Sequence, residues 1–483
     1  MRKEILSAVA VATAAAAFAV TAEVDFTEPV GRIKPLHGVN NAPMRIPEGS
    51  TQWEFKEAGI PFMRTHDTAG MWGGGHYVDI PNVFPDFDAD ENDPASYDFA
   101  FTDAYLKKIV AAGTRIYYRL GVTIENYYKI KAYNSRPPKD FAKWARICEH
   151  VVRHYTEGWA DGYRWDVAYW EIWNEPENPP MWQGTREQFF ELYRVTANHL
   201  KKCFPGIKVG GYGCCGFYAL DGEGWQKSDF QKSFLKWFED FCAYVTDEKT
   251  KAPLDFYSWH IYLLDSPRRI ATHADYVRRT LDAAGLAATE IHLNEWNYVG
   301  PKWDDYEGMR MARGAACVGE AFCVMQGAPV DVSCYYDALP TRTYCGLFNL
   351  VGKDLRTTTY FAFPMWNTLY SLGTAVRCGA SETNGFAVVA AADGARKAAF
   401  LVNNTAEPRM VNLSLKGATA GEFETYLLDD AVNSLRAGVP AKIDLTKPFE
   451  LKPHMLALLK TPERAASAEK GTVKATFAGQ DAK

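Results

Sequence analysis

Between Leu36 and Leu372 the chain alternates short apolar runs with helical stretches eight times, and no other feature constrains it as strongly. The strand-like runs are Leu36–Asn40, Phe62–Asp67, Arg115–Gly121, Val167–Glu175, Ile207–Tyr212, Leu254–Tyr262, Glu290–Asn297 and Val330–Tyr336. Helical periodicity fills Trp53–Ala58, Phe101–Ala112, Asp140–Thr156, Arg186–Cys203, Phe230–Tyr244, Ile270–Ala284 and Glu307–Gln326, with a last helix near Thr357–Leu372. Gly113 and Gly285 follow two of these directly, as a helix end in the left-handed region favours. Eight strand–helix repeats over about 300 residues predict an α/β fold, a closed parallel (β/α)8 TIM barrel rather than an open sheet.

From Gly373 the rhythm changes. Short strands (Phe386–Val389, Ala398–Val402, Met410–Leu415, Phe423–Leu428, Met455–Leu459) separated by Gly, Asn and Pro turns predict a C-terminal antiparallel β-sandwich domain. The expected organisation is a barrel over 34–372 and a sandwich from 373–462, to which 24–33 adds a strand. A tail over 463–483, poor in large apolar residues, is expected to be mobile. Met1-Arg-Lys followed by an Ala/Val-rich stretch reads as a secretory signal peptide over 1–22, cut near Ala22, so the protein is expected to be secreted or periplasmic.

A net charge of −6 without a sustained basic run argues against a nucleic-acid surface, and no later run is apolar enough to span a bilayer. The ten cysteines show no metal-type Cys-x-x-Cys spacing, and no metal or cofactor is expected. Most of them read as buried small hydrophobes, with one or two disulfides possible after export. Aromatic residues reach 14%, including 14 Trp, which shifts the balance modestly towards a sugar ligand because carbohydrate clefts use aromatic faces.

The stretch Trp170-Glu-Ile-Trp-Asn-Glu-Pro176 carries the chemistry. Strand alternation would put Trp170, Ile172 and Asn174 on one face and Glu171, Trp173 and Glu175 on the other. Pro176 stops the strand and leaves Asn174 and Glu175 at its carboxyl end, where barrel enzymes collect functional side chains. A second apolar strand, ending Asn294-Glu295-Trp296, offers the partner carboxylate. His66 with Asp67, and His260 with Tyr262, end two further strands. Cleaving a glycosidic bond needs a proton for the leaving oxygen and a negative charge beneath the anomeric carbon, and two carboxyl groups supply both. Arg64 and Arg119 are expected to point inward beside the carboxylates or to form structural pairs. His37 and Asn40 sit at the first strand, and the long loop Gly70–Asp98 is a candidate cleft wall.

Taken together in order and spacing, Trp170–Pro176, Trp182, Phe189–Ala197, Pro205–Gly211, Ser258–Tyr262, His292–Asn297 and Val330–Val332 resemble glycoside hydrolase family 39, which contains β-xylosidases and α-L-iduronidases. The resemblance covers the barrel well and the sandwich weakly. It implies Glu175 as general acid/base and Glu295 as nucleophile of a retaining reaction, with Asn174 on the sugar 2-hydroxyl. It further implies His260 and Tyr262 in the glycone pocket and His66 on sugar hydroxyls. The chain departs from the family's β-xylosidases at Tyr335-Tyr336-Asp337, at Trp296 and over Tyr298–Tyr306; Trp296 and Tyr336 are the candidate substrate contacts there. The expected activity is metal-independent hydrolysis of a β-xyloside-like or other equatorially linked oligosaccharide or polysaccharide. Competing readings are an endo-acting hydrolase, a uronic-acid-specific enzyme using Arg342, and a carbohydrate-binding protein without catalysis.

Overall fold

The computed structural model describes residues 19–43, 50–66, 78–123, 135–222, 224–264, 266–340 and 343–462. After a first strand, β1 (Ala19–Arg32), eight strands follow: β2 (Gly38–Asn40), β3 (Phe62–Arg64), β4 (Arg115–Leu120), β5 (Tyr169–Ile172), β6 (Val209–Cys214), β7 (Phe256–Leu263), β8 (Glu290–Tyr298) and β9 (Val332–Tyr335). Each leads to a helix, namely α1 (Gln52–Ala58), α2 (Ala100–Ala111), α3 (Phe141–Thr156), α4 (Arg186–Cys203), α5 (Asp229–Thr246), α6 (Arg269–Ala283), α7 (Ala312–Gly327) and α8 (Ala362–Leu372). The strands pair in parallel in chain order, and β9 closes on β2 with Gly38 opposite Cys334. The chain folds as a TIM barrel with an added sheet domain.

Local sequence sets where the helices begin. Asp140, Thr185 and Ser228 each accept an N–H from the first turn of α3, α4 and α5, and Gln188 returns the bond to Thr185. α7 starts at Ala312 rather than at Glu307, because Asp305 accepts the Gly308 N–H at 3.0 Å and Met311 is extended. The bottom of the barrel is plugged by Phe62, Tyr117, Tyr169, Phe256 and Val332. Above this plug the interior turns polar, with buried Glu171, Arg64, Ser258 and Asn294.

β10 (Thr374–Ala380), β11 (Phe386–Asp393), β12 (Arg396–Asn403), β13 (Arg409–Lys416), β14 (Glu424–Leu428), β15 (Phe449–Leu451) and β16 (Met455–Lys460) form an eight-stranded sheet with β1. Its pairings are antiparallel except β1 with β13, so the sheet is mixed; the parallel pair arises because β1 enters from before the barrel. Phe400, Val402 and Leu456 lie against Gly319 of α7, and Phe400 also meets Trp366 of α8. The alternate residues Leu401 and Leu459 join Val20, Val24 and Val411 in a separate core. Burial of both faces explains why these strands read as continuous apolar runs.

Ala19–Ala22, the end of the predicted leader, pair with Met410–Leu413, and Val20 and Ala22 are buried. The rest of the leader (1–18), the start of the Gly70–Asp98 loop, Arg342 and the tail 463–483 lie outside the described residues. None of the ten cysteines forms a disulfide. No described helix is long and apolar enough to cross a membrane.

Candidate active site

Two breaks in strand regularity build the site. β5 ends at Ile172, and Trp173 then adopts φ 73°. That left-handed residue cancels the alternation expected from the sequence. Trp170, Ile172 and Trp173 all face the helix layer, where the Trp173 indole donates to the Met181 carbonyl at 3.0 Å. Glu171 and Asn174 instead share the Arg64 guanidinium on the inside. Glu175, also left-handed at φ 45°, is held by its N–H to the Gly213 carbonyl at 2.9 Å. In β8 the register against β7 shifts between Leu293 and Glu295, leaving Asn294 as the extra residue and placing Glu295 opposite His260. Asn294 and Glu295 therefore both point inward.

The interior is one connected network. Arg64 donates to Glu171 at 2.7 Å, to Asn40 at 3.2 Å, to Asn174 at 2.5 Å and to Glu295 at 3.1 Å. Glu171 also accepts from Ser258 and Asn294, both at 2.6 Å. One face of Arg64 thus cancels a buried charge below, while the other holds Glu295 and Asn174 above. Tyr262 donates to the second oxygen of Glu295 at 2.7 Å, and His66 Nε2 lies 4.0 Å from the first. His260 Nδ1 is 2.7 Å from Glu175 Oε1 and 3.7 Å from Glu295 Oε2, and Asn178 donates to the other oxygen of Glu175 at 3.0 Å. One oxygen of Glu175, one of Glu295 and a ring nitrogen of His260 all lie within 4.8 Å of one another. A side chain at Gly213 (φ 63°) would be strained, with its Cβ crowded at 3.1–3.2 Å from Arg64, Asn174 and His260.

Charge follows from this geometry. Burial alone would lower the basicity of His260, but the negative charges of Glu295 and Glu175 outweigh it and its pKa is raised. Burial pushes the Glu175 carboxyl up, yet the bond to His260 and that ring's charge hold it below its ordinary value. At Glu295 burial, with the neighbouring charge of Glu175, prevails over His260, Arg64 and Tyr262, and the pKa is raised. The free site therefore keeps a proton on the His260 side of the Glu175–His260 bond. His260, Glu175 and Glu295 are also metal-ligand types, but the Glu295 oxygen nearest His260 is already taken by the Arg64 guanidinium, whose fixed positive charge opposes a cation there.

Other expected residues are distributed as follows. Tyr336 lies at the rim, its ring 6.4 Å from Tyr262. Trp296 is turned away from the glutamates by the Asn294 bulge and packs on Phe322 and Tyr335 in the helix layer. Asn40 belongs to the network, accepting from Arg64 and donating to the Asn294 carbonyl at 2.9 Å. His37 precedes β2 and meets Gly59 and Asn367 at the opposite, helical side. Arg119 pairs with Asp79 at 2.5 Å, so it fastens the 78–98 segment rather than a carboxylate of the site.

Sequence reasoning passed over Glu177, whose buried carboxyl accepts the Cys215 N–H at 2.6 Å. Burial and the charge of Glu175 push it up to about 7. It also passed over Trp303 and Tyr344, whose rings stand 5.6 and 5.5 Å from Tyr262. Asp305 pins the Trp303 loop by accepting from Tyr298 at 2.9 Å and from the Gly308 N–H. The only sequence signal for that wall was the density of aromatic residues in 298–306.

The profile of the glycosyl hydrolases family 39 matches residues 58–293, which run from the end of α1 into β8 and include Asn174, Glu175, His260 and Tyr262. This part of the chain resembles family 39. Two curated proteins are similar to it. A β-xylosidase from Geobacillus stearothermophilus is 27% identical over 209 residues, 41% of this chain and 37% of that protein. One from Caldicellulosiruptor saccharolyticus is 25% identical over 219 residues, 42% of this chain and 38% of that protein. The alignments thus span well under half the length of these relatives. Among solved structures, a glucosidase from Croceicoccus marinus superposes with a TM-score of 0.71 at 22% identity, covering 92% of this chain and 99% of that one. A family 39 enzyme from Xanthomonas axonopodis pv. citri reaches 0.63 at 18% identity, covering 92% and 97%. These superpositions extend the shared architecture to the sheet domain.

Proposed function

We propose that the protein is a retaining glycoside hydrolase that removes β-xyloside-like or other equatorially linked sugars from a chain end. The observation that carries this reading is the approach of Glu175 and Glu295 within 4.8 Å, with Arg64 and Tyr262 on Glu295 and His260 on Glu175. Inverting enzymes hold their carboxyl groups roughly 6.5–9.5 Å apart to admit a water; retaining ones need only about 5–5.5 Å.

In the first step Glu295 attacks the anomeric carbon as the glycosidic C–O bond breaks, and a proton passes to the leaving oxygen from Glu175. The oxocarbenium-like charge forms over the carboxylate of Glu295, and Asn174, oriented by Arg64, is placed to bind the 2-hydroxyl. In the second step Glu175 takes a proton from water, the water oxygen bonds to the anomeric carbon, and the ester to Glu295 breaks. The proton that the free site keeps on His260 is the one Glu175 needs, and the 2.7 Å bond carries it without rearrangement. Once Glu295 is esterified its negative charge is gone, which favours ionised Glu175 as the base.

Export is part of this reading. Because Ala19–Ala22 pair in the sheet, cleavage after Ala19, behind the small-x-small triplet Ala17-Phe18-Ala19, keeps more of β1 than a cut at Ala22. A panel of chromogenic glycosides, with Glu175→Ala and Glu295→Ala as controls, tests the activity. Labelling by a 2-deoxy-2-fluoro glycosyl fluoride at a residue other than Glu295, or turnover of uronides alone, would replace this reading.

A further inference from the structure

α3 and α4 are neighbours in the helical layer outside the barrel, and three metal-ligand side chains meet between them. His199 and Cys203 are four residues apart on α4 and so share a face, while Glu149 reaches across from α3. His199 Nε2 stands 2.5 Å from Glu149 Oε2 and 3.9 Å from Cys203 Sγ. All three ligand atoms fall within 4.8 Å of one another. A tetrahedral zinc ion with bonds of about 2.0–2.3 Å spaces its ligands about 3.4–3.7 Å apart, so adjustments of about an ångström at side-chain ends would seat it.

The surroundings fit a cation. Arg153 holds the far oxygen of Glu149, at 2.8 Å from Nε and 2.7 Å from Nη2, which orients the carboxylate and leaves Oε2 facing the site. The same guanidinium pairs with Glu157 at 2.5 Å, so two carboxylates stand against one positive charge. At the catalytic cluster the guanidinium takes the very oxygen a metal would need; here it takes the other one. His199 is 27% exposed and Glu149 13%, so an ion and its water can enter from solvent. A helix-to-helix ion pair would account for His199 and Glu149, but it calls for no thiol at the same nitrogen.

We propose that Glu149, His199 and Cys203 bind one zinc-class divalent cation, with water as the fourth ligand, tying α3 to α4. Mixed nitrogen, sulfur and oxygen donors favour zinc over magnesium or calcium. The site is independent of the proposed hydrolytic activity. Metal-stripped full-length protein is titrated with Co2+ and then Zn2+, following the thiolate-to-cobalt charge-transfer absorption and the melting temperature. The expected result is one equivalent bound per chain, a charge-transfer band that Zn2+ abolishes, and a melting temperature a few degrees higher with zinc. Cys203→Ser should lose the band, and His199→Gln should weaken zinc binding by about 30-fold. The two variants back each other up should one fail to fold. Absence of the band in the unaltered protein, or zinc affinity unchanged in a folded variant, overturns the proposal.

Discussion

Glu295 stands level with His260 because Asn294 is an extra residue in β8. On the opposite side of the site a different device has the same effect, since left-handed Trp173 lets Asn174 follow Glu171 to the inside. In both places two consecutive polar residues, Asn then Glu, face the barrel interior, which a regular strand cannot achieve. The cost of such irregular backbone is offset by Arg64, which binds Glu171, Asn174 and Glu295 at once.

Removing Asn294 should restore a regular alternation in which Glu295 still faces inward but takes the place of Asn294 beside Glu171, one residue below its present level and away from Tyr262. The deletion variant is expected to lose hydrolysis by on the order of 10⁴-fold, comparable to loss of the nucleophile itself. Asn294→Ala keeps the bulge and removes only one donor to Glu171, so it should lose far less. Circular dichroism of both variants, alongside steady-state rates on an aryl glycoside, separates misdirection of Glu295 from unfolding. Equal losses in two folded variants would show that the bulge does not aim the carboxylate.

The barrel was legible because its signal is long-range: eight apolar runs and eight helical periods can hardly arise otherwise. The meeting of Glu175 and Glu295 inside the barrel was legible because each follows Asn at the end of such a run. What could not be read were the residues governed by single backbone dihedrals. Alternation assigned Glu171 and Asn174 to opposite faces, and one left-handed residue reversed that; Trp296, a candidate because it departs from the family pattern, is turned outward by the bulge. Arg119 and Arg64 sit in similar strand contexts, yet only coordinates distinguish a partner in the Asp79 loop from one in the cleft. Glu177 gives no sequence signal at all, since a glutamate in a Pro-rich loop ordinarily points to water.

The two glutamates should part company when the leaving group is varied. A good leaving group departs without a proton, so Glu175→Gln is expected to slow an unactivated disaccharide by about 10³-fold and a dinitrophenyl glycoside much less. Glu295→Gln should abolish both, because no leaving group replaces the nucleophile. Burst kinetics on the dinitrophenyl substrate would further show whether the glycosyl-enzyme accumulates. If both variants lose both substrates equally, the division of labour between the two carboxyls is wrong.

Tyr262→Phe offers a test through pH. The hydroxyl donates to Glu295 at 2.7 Å, and this bond is among the influences that lower the carboxyl's pKa against burial. Without it the pKa of Glu295 rises, so a higher pH is needed to ionise the proposed nucleophile. The acidic limb of the kcat/KM profile should therefore move upward, with a rate loss of about tenfold at the optimum. A limb that stays in place, or moves down, would dissociate Tyr262 from the titration of Glu295.

The proposed export carries a separate expectation. Val20 and Ala22 are buried in the second core and pair with β13, so a cut near Ala22 would strip one end of β1. Mass spectrometry of protein exported from a bacterial host is expected to give a chain beginning at Val20. A chain beginning at Glu23, with an unchanged melting temperature, would show that the first turns of β1 contribute nothing to the sheet.

Glu177 should make stability fall as pH rises through neutrality. In the folded protein its carboxyl titrates at about 7, against an ordinary 4.5, because burial and the charge of Glu175 disfavour ionisation. Between those values the unfolded chain has released the proton and the folded chain still holds it. Stability is therefore greatest below pH 4.5, declines as pH rises, and levels off above about 7, a total change of about 3 kcal/mol. Glu177→Gln removes this titration while keeping an oxygen for the Cys215 N–H. Urea denaturation at pH 5 and pH 8 should show the variant gaining on the unaltered protein at pH 8 by a few kcal/mol relative to pH 5. Parallel pH dependence of the two proteins would mean that Glu177 is ionised in the fold, with a counter-charge or water satisfying its second oxygen.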